Sequence, residues 1–195
     1  MLIRQAKVED VEEAAELISL AWEECACVLA GTTDGEEVQK VIKTFYRQPN
    51  NILSYENVIV AEGKKGVAGL VLSFPSDKCT FLNRLVLEKL PQVYNADLVN
   101  FQQKVLPMFK TEEAKPQEYY IDSLAVDSQY RACGIGGRLL KVANRKSSQY
   151  GLKKTSLIVK PGNKAALKLY KKHGYKVRGK LKLAGVNYLS MVKAV

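Results

Sequence analysis

Ile121-Asp122-Ser123-Leu124-Ala125-Val126-Asp127-Ser128-Gln129-Tyr130-Arg131-Ala132-Cys133-Gly134-Ile135-Gly136 is the stretch whose reading decides the fold. Tyr119 to Val126 is rich in β-forming residues and reads as a strand. A loop follows with glycines two apart, and Gly136 to Tyr150 reads as a helix closed by Gly151. The first N–H groups of such a helix have no partner within it and point outward, so they suit phosphate oxygens. Gly134 and Gly136 are expected to let the backbone approach an anion where a side chain would block it. Arg131 and Arg138 add charge-assisted donors. A dinucleotide fingerprint fails, because Leu139 stands where G-x-G-x-x-G needs its third glycine and no acidic residue follows Asp127. A Walker A loop fails for want of G-K-[ST] after the glycines.

Working outward, Leu2 to Ala6 is a short strand candidate. One helix is expected from Val11 to Leu29, with apolar residues at helical period and acids in its first turn. Gly31-Thr32-Thr33-Asp34-Gly35 interrupts it, and Glu36 to Tyr46 resumes as a second helix. Val58 to Ala61 and Val67 to Phe74 are strands, joined by a hairpin turn at Glu62-Gly63-Lys64-Lys65-Gly66. Residues 77–117 form an insertion in which Leu85 to Leu90 and Leu98 to Phe109 have helical spacing, interrupted by Pro91 and Pro107. Thr155 to Val159 is a strand, Asn163 to His173 a helix, Tyr175 to Arg178 a half-buried strand and Tyr188 to Val192 the last strand. The order predicts an α/β fold, a mixed sheet with helices on both faces, in a single domain spanning 1–195.

Charge is divided along the chain. All 20 acidic residues and 13 Lys/Arg lie in 1–127, whereas 128–195 holds 17 Lys/Arg and no acid. Such a surface favours a polyanionic ligand. The basic third carries no RNP pattern, zinc-finger spacing or clear helix-turn-helix, which argues against a nucleic-acid partner. Cys25, Cys27, Cys79 and Cys133 form no C-x-x-C pair and His173 is the single histidine, so no metal is expected and the thiols read as reduced and mostly buried. The first residues lack the layout of a signal peptide, and no apolar run is long enough to cross a bilayer, so a cytoplasmic protein with no membrane partner is expected.

Two motifs resemble the GNAT superfamily of acetyl-CoA-dependent N-acetyltransferases. Arg131-x-x-Gly134-x-Gly136 matches its [RQ]-x-x-G-x-[GA] signature. Asn163-Lys164-Ala165-Ala166-Leu167-Lys168-Leu169-Tyr170-Lys171-Lys172-His173-Gly174-Tyr175 matches its late N-x-x-A-x-x-x-Y-x-x-x-G-[FY] helix. The resemblance extends over nearly the whole chain, from Ile3-Arg4-Gln5-Ala6 with Asp10 through Val67 to Val71. It implies a mostly antiparallel, twisted sheet of about seven strands flanked by helices, with 77–117 as a helical insertion between strands 3 and 4. It also implies acetyl-CoA as co-substrate and an amine of unidentified structure as acceptor. Leu124, Ala125 and Val126 would meet the pantetheine arm in a slot opened by divergence of Ser156 to Val159. The turn Arg131, Ala132, Cys133, Gly134, Ile135, Gly136, Gly137 and Arg138 would hold the pyrophosphate. Asn163 would bond the cofactor, and Tyr170 would lie near the thioester sulfur. Ala132 and Cys133 stand where members often carry Gly and a basic residue, and the connection between strands 3 and 4 is longer than usual.

Attack of an amine on a thioester requires a neutral amine, a stabilised oxyanion and a protonated leaving thiol. Tyr170 is the candidate acid, seven residues and about 10 Å along one helix face from Asn163. Glu118, Tyr120 and Asp122 share a strand face that Leu124 and Val126 are expected to continue. Asp122 is therefore the first candidate base and Glu118 the second, with a water chain as the alternative. His173 reads as a helix-capping residue. The resemblance implies that the acceptor enters near Trp22, Glu23, the 31–35 loop and the insertion. A non-catalytic CoA-binding regulatory module and a ribosome-associated protein remain the alternatives in function, and a homodimer remains open as an assembly.

Overall fold

The structure is a computed structural model that describes residues 1–64, 66–93, 99 and 101–195. Seven strands, β1 (Ile3–Gln5), β2 (Val58–Gly63), β3 (Gly66–Pro75), β4 (Tyr119–Val126), β5 (Lys154–Val159), β6 (Lys176–Leu183) and β7 (Val186–Ala194), form one sheet in the order β1-β2-β3-β4-β5-β7-β6. Every neighbouring pair is antiparallel except β4 and β5. Period-two burial shows how the sheet is sandwiched. Val58 and Val60 enter one core with Ile18, Leu29, Ile42 and Phe45, while Ile59 and Ala61 enter another with Leu139, Leu140 and Leu157. The first core lies under α1 (Val11–Trp22), α2 (Glu24–Ala30) and α3 (Gly35–Tyr46). The second lies under α6 (Ile135–Gln149) and α7 (Lys164–Lys172).

Several expected elements change. The helix foreseen from Val11 to Leu29 is two helices, because Glu23 takes φ 49° and its N–H closes α1 on the Ser19 carbonyl. Between β3 and β4, α4 (Cys79–Val93) keeps Pro91 inside its last turn, so that proline does not end the helix. Phe101–Val105 forms a π-turn, and α5 (Leu106–Lys110) has Pro107 in its first turn, where a missing N–H costs nothing. Leu98 and Asn100, within the expected second helix, and Lys65, in the expected hairpin turn, lie outside the described residues. The half-buried strand expected at Tyr175 to Arg178 is instead a longer outer strand. Tyr175 is buried just ahead of it, whereas Val177 is 47% exposed. No helix among the described residues is long and apolar enough to cross a membrane.

Candidate active site

The site begins with an irregularity in β4. Its register against β3 shifts between Leu72↔Ser123 and Ser73↔Ile121, leaving Asp122 as an extra residue. A bulge of this kind bends the strand and inverts its side-chain alternation. Tyr120 and Ala125 both enter the core beneath α1–α3, while Ile121, Leu124 and Val126 pack toward α6 and α7. The expectation that Leu124 and Val126 continue the face of Asp122 is therefore corrected. Beyond the bulge, β4 also leaves β5: the two pair only at Tyr119↔Thr155, Tyr120↔Ser156 and Ile121↔Leu157. Leu124, Ala125 and Val126 pair with β3 on one side, while no ladder joins them to β5 on the other.

The turn after β4 leads into α6 as the sequence suggested. Gly134, at φ 77°, stands at the N-cap with no side-chain cap, so the first N–H groups of α6 keep their outward donors. A Cβ on Gly134 would meet nothing within 4 Å, which leaves open approach to the backbone. Gly136 serves another purpose, since a Cβ there would lie 3.3 Å from Leu169. One on Gly137 would lie 2.9 Å from the His173 imidazole. Both glycines let α6 pack closely on α7. Ala132, Cys133 and the two arginines are exposed, whereas the Ile135 side chain is buried. Arg131 Nε donates to the Val126 carbonyl and Arg138 to that of Met1. Cys133 departs from the expectation of buried thiols.

On the opposite face of the sheet, a cavity of about 970 Å³ opens between α1, α2, the described residues of 79–88 and 101–114, and β7. Asp122 lines it. Its Oδ1 accepts from Trp22 Nε1 at 2.7 Å and from Ser123 Oγ at 2.8 Å. Glu113, from the loop after α5, also lines it and accepts from the Tyr120 hydroxyl at 2.6 Å. Burial raises both carboxyls above the ordinary range. At Asp122 the Trp22 and Ser123 hydrogen bonds oppose that rise, and at Glu113 the charge of Asp122 adds to it. Glu113 escaped the sequence reading, because no periodicity relates the 111–118 loop to β4. Lys160, just beyond β5, pairs with both Glu23 and Glu24 and so holds the α1–α2 break, with Trp22 beside it, against the end of β5. The 31–35 loop is not among the described lining residues, whereas Cys25, Leu183 and Tyr188 are.

Glu118 is not brought to this cavity. It lies just before β4, buried, pairing with Arg178 and accepting from the Lys115 N–H. Burial works against its charge, but Arg178 and that N–H outweigh burial and leave the carboxyl below its usual range. A carboxylate so engaged is a poor base, and the candidates become Asp122 and Glu113. Tyr170 is 7% exposed, packs 6.0 Å from the Tyr175 ring, and has no side-chain hydrogen bond among the described residues. Burial pushes its hydroxyl up to about 12, so near neutral pH it is a proton donor. Asn163 caps α7 by accepting from the Ala166 N–H, which engages its carbonyl oxygen and leaves its amide NH₂ as a donor. His173 closes the same helix, its N–H bonded to the Leu169 and Tyr170 carbonyls, as expected.

No curated protein matches the chain. Among solved structures, an N-acetyltransferase from Staphylococcus aureus Mu50 is 26% identical, with 98% of this chain and 100% of that one covered and a TM-score of 0.80. A structure described as an acetyltransferase is 24% identical over the full length of both chains, with a TM-score of 0.77. The PaiA N-acetyltransferase from Thermoplasma acidophilum, solved in complex with coenzyme A, is 16% identical over 100% of this chain and 98% of that one, and its TM-score of 0.58 speaks for the fold. The model of the acetyltransferase (GNAT) family matches residues 21–175, a span that runs from the cavity wall at Trp22 through the turn at Gly134 to Tyr175. With its bulged fourth strand, open slot and uncapped helix, the chain belongs to the acetyltransferase (GNAT) family.

Proposed function

We propose that the protein transfers an acetyl group from acetyl-CoA to a primary amine by direct attack on the thioester. The observation that carries this reading is the slot between β4 and β5, which lies between an uncapped helix N-terminus and an acid-lined cavity. Phosphates of the donor would sit at the turn from Arg131 to Arg138, its pantetheine amides would bond the free edge of Leu124, Ala125 and Val126, and Asn163 would add a donor. The amine would approach from the cavity. One N–H bond of its ammonium breaks, and the proton passes to a carboxylate of the Asp122–Glu113 pair. The freed lone pair forms the new C–N bond, the C–S bond breaks, and the departing thiolate takes the Tyr170 proton. That phenolate is then neutralised by the second proton of the acylated nitrogen, relayed through solvent.

Tyr170→Phe tests the assignment. Turnover should fall at least tenfold, the low end of general acid catalysis at about 10²-fold allowing for partial replacement by water, while acetyl-CoA still binds in calorimetry. Unchanged turnover removes Tyr170 as the acid. Acetyl-CoA binding without thiol release against any amine would instead favour a non-catalytic module.

A further inference from the structure

The shape and chemistry of the cavity specify more than an amine in general. Its walls are largely apolar, including Phe74, Leu87, Met108, Phe109 and Leu183, and its volume of about 970 Å³ is that of a small-molecule site. Against these walls stand two carboxylates, Glu113 and Asp122, whose side-chain partners are neutral: the Tyr120 hydroxyl for one, the Trp22 indole and the Ser123 hydroxyl for the other. No ion pair reaches either one among the described residues. Arg84, on the lining, pairs with Glu88 instead. Lys110, the other cation on the lining, is exposed and pairs with neither carboxyl among the described residues. The remaining titratable groups nearby, Cys25, Cys79, Tyr120 and Tyr188, supply no cation, and burial holds the Cys79 thiol up at about 11 and the Cys25 thiol at about 12. A half-buried acid pair that faces an apolar cavity without a counter-charge calls for one from the ligand. Asn83, also on the lining and only 9% exposed, has an Oδ1 with no hydrogen-bond partner, a further acceptor for an N–H.

We propose that the acceptor is a small primary amine on an apolar body, an arylalkylamine or alkylamine, with its ammonium held between Glu113 and Asp122 and its hydrocarbon along Phe74, Leu87 and Met108. This rests on the acetyltransferase reading of the same site. A polyamine fits poorly: the other acids of the lining, Asp77, Glu88 and Glu112, are exposed and Glu88 is already paired with Arg84, so inner ammonium groups along the apolar wall would be desolvated without a partner there. Because Glu113, Leu87 and Met108 all come from the segment between β3 and β4, that insertion selects the acceptor.

Calorimetry on the full chain, with and without CoA, would compare 2-phenylethylamine, 2-phenylethanol, spermidine, a peptide with a free N-terminus and n-alkylamines of rising length. The same amines would be run in a thiol-release assay. Phenylethylamine should bind at least tenfold tighter than either phenylethanol or spermidine, and alkylamine affinity should rise about fourfold per methylene until the cavity is filled. Leu87→Trp should shorten the longest alkylamine accepted. Glu113→Gln should cost the amine at least tenfold and phenylethanol little, and Asp122→Asn is the second variant should the first unfold. Equal or tighter binding of spermidine or the peptide, or a flat chain-length series, overturns the proposal. Thiol release with spermidine but not with alkylamines keeps acetyl transfer and removes this acceptor class. The expected binding order without thiol release keeps the acceptor class for the site and removes acetyl transfer.

Discussion

Ala132 holds a left-handed backbone, φ 62°, two residues before the N-cap of α6. A residue with a Cβ strains there by about 1–2 kcal/mol, and glycine returns part of that gain through its own chain entropy. Ala132→Gly should therefore stabilise the protein by about 1 kcal/mol in urea unfolding. The sequence already marked this position, since members of the resembling family often carry Gly in its place. The Glu113–Asp122 pair leads to a second prediction at this scale. Both carboxyls are raised by burial, so the folded chain keeps protons that the unfolded chain releases from about pH 4 upward. Stability then falls as pH rises from that value through the raised range. Glu113→Gln should lessen this fall, so its Tm relative to the parent should climb between acid and neutral pH in a thermal melt series; a constant difference would mean Glu113 is not held protonated. Tyr170, Asn163 and the turn could be singled out because they lie in spaced motifs, and Asp122 because strand alternation set it beside Tyr120, in the roles proposed above. Glu113 was not, because loop residues carry no period and its meaning depends on a strand face formed elsewhere.

At the level of elements, the succession of strands along the chain and the helices at Ile135–Gln149 and Lys164–Lys172 could be read from periodicity and from Gly151 and Gly174. The break at Glu23 could not, since the apolar period continues across it from Ile18 to Leu29 while one residue takes a backbone angle that no composition rule announces. The bulge at Asp122 was hidden for a related reason: alternation counts residues evenly, and a bulge adds one that the partner strand does not match. β3 and β4 are also set close at their far end. A Cβ on Gly69 would lie 2.9 Å from the Ala125 carbonyl oxygen and 3.3 Å from Ile135 at the start of α6. Gly69→Ala should push the strand from its register and cost about 1–3 kcal/mol in denaturant unfolding. It should also weaken acetyl-CoA binding in calorimetry, because Ala125 and Val126 border the slot. Full stability with full affinity would mean the strands tolerate separation there.

Across the whole molecule, the charge division of the sequence maps onto the two faces of the sheet. α6 and α7 belong to the segment holding 17 Lys/Arg and no acid, whereas the described lining of the cavity carries five acids, Asp77, Glu88, Glu112, Glu113 and Asp122, against two bases, Arg84 and Lys110. Attraction of an anionic donor to the basic face should weaken as salt shortens the reach of charge, from about 30 Å at 0.01 M to about 8 Å at 0.15 M. The KM for acetyl-CoA should accordingly rise several-fold over that interval, measured at fixed saturating amine; no change would mean the lysines act one by one as solvated groups. The insertion was legible as an extra helical segment, but its place as a wall of the cavity depends on a fold-back that local spacing does not encode. That placement has an evolutionary corollary. The described residues of 79–93 and 101–114 supply a wall of the chamber proposed for the acceptor, whereas the turn and the slot are built from β4, β5 and the start of α6. Natural variation can therefore redraw the guest list of the chamber, or a graft from a relative can replace it, while the donor's berth is inherited intact.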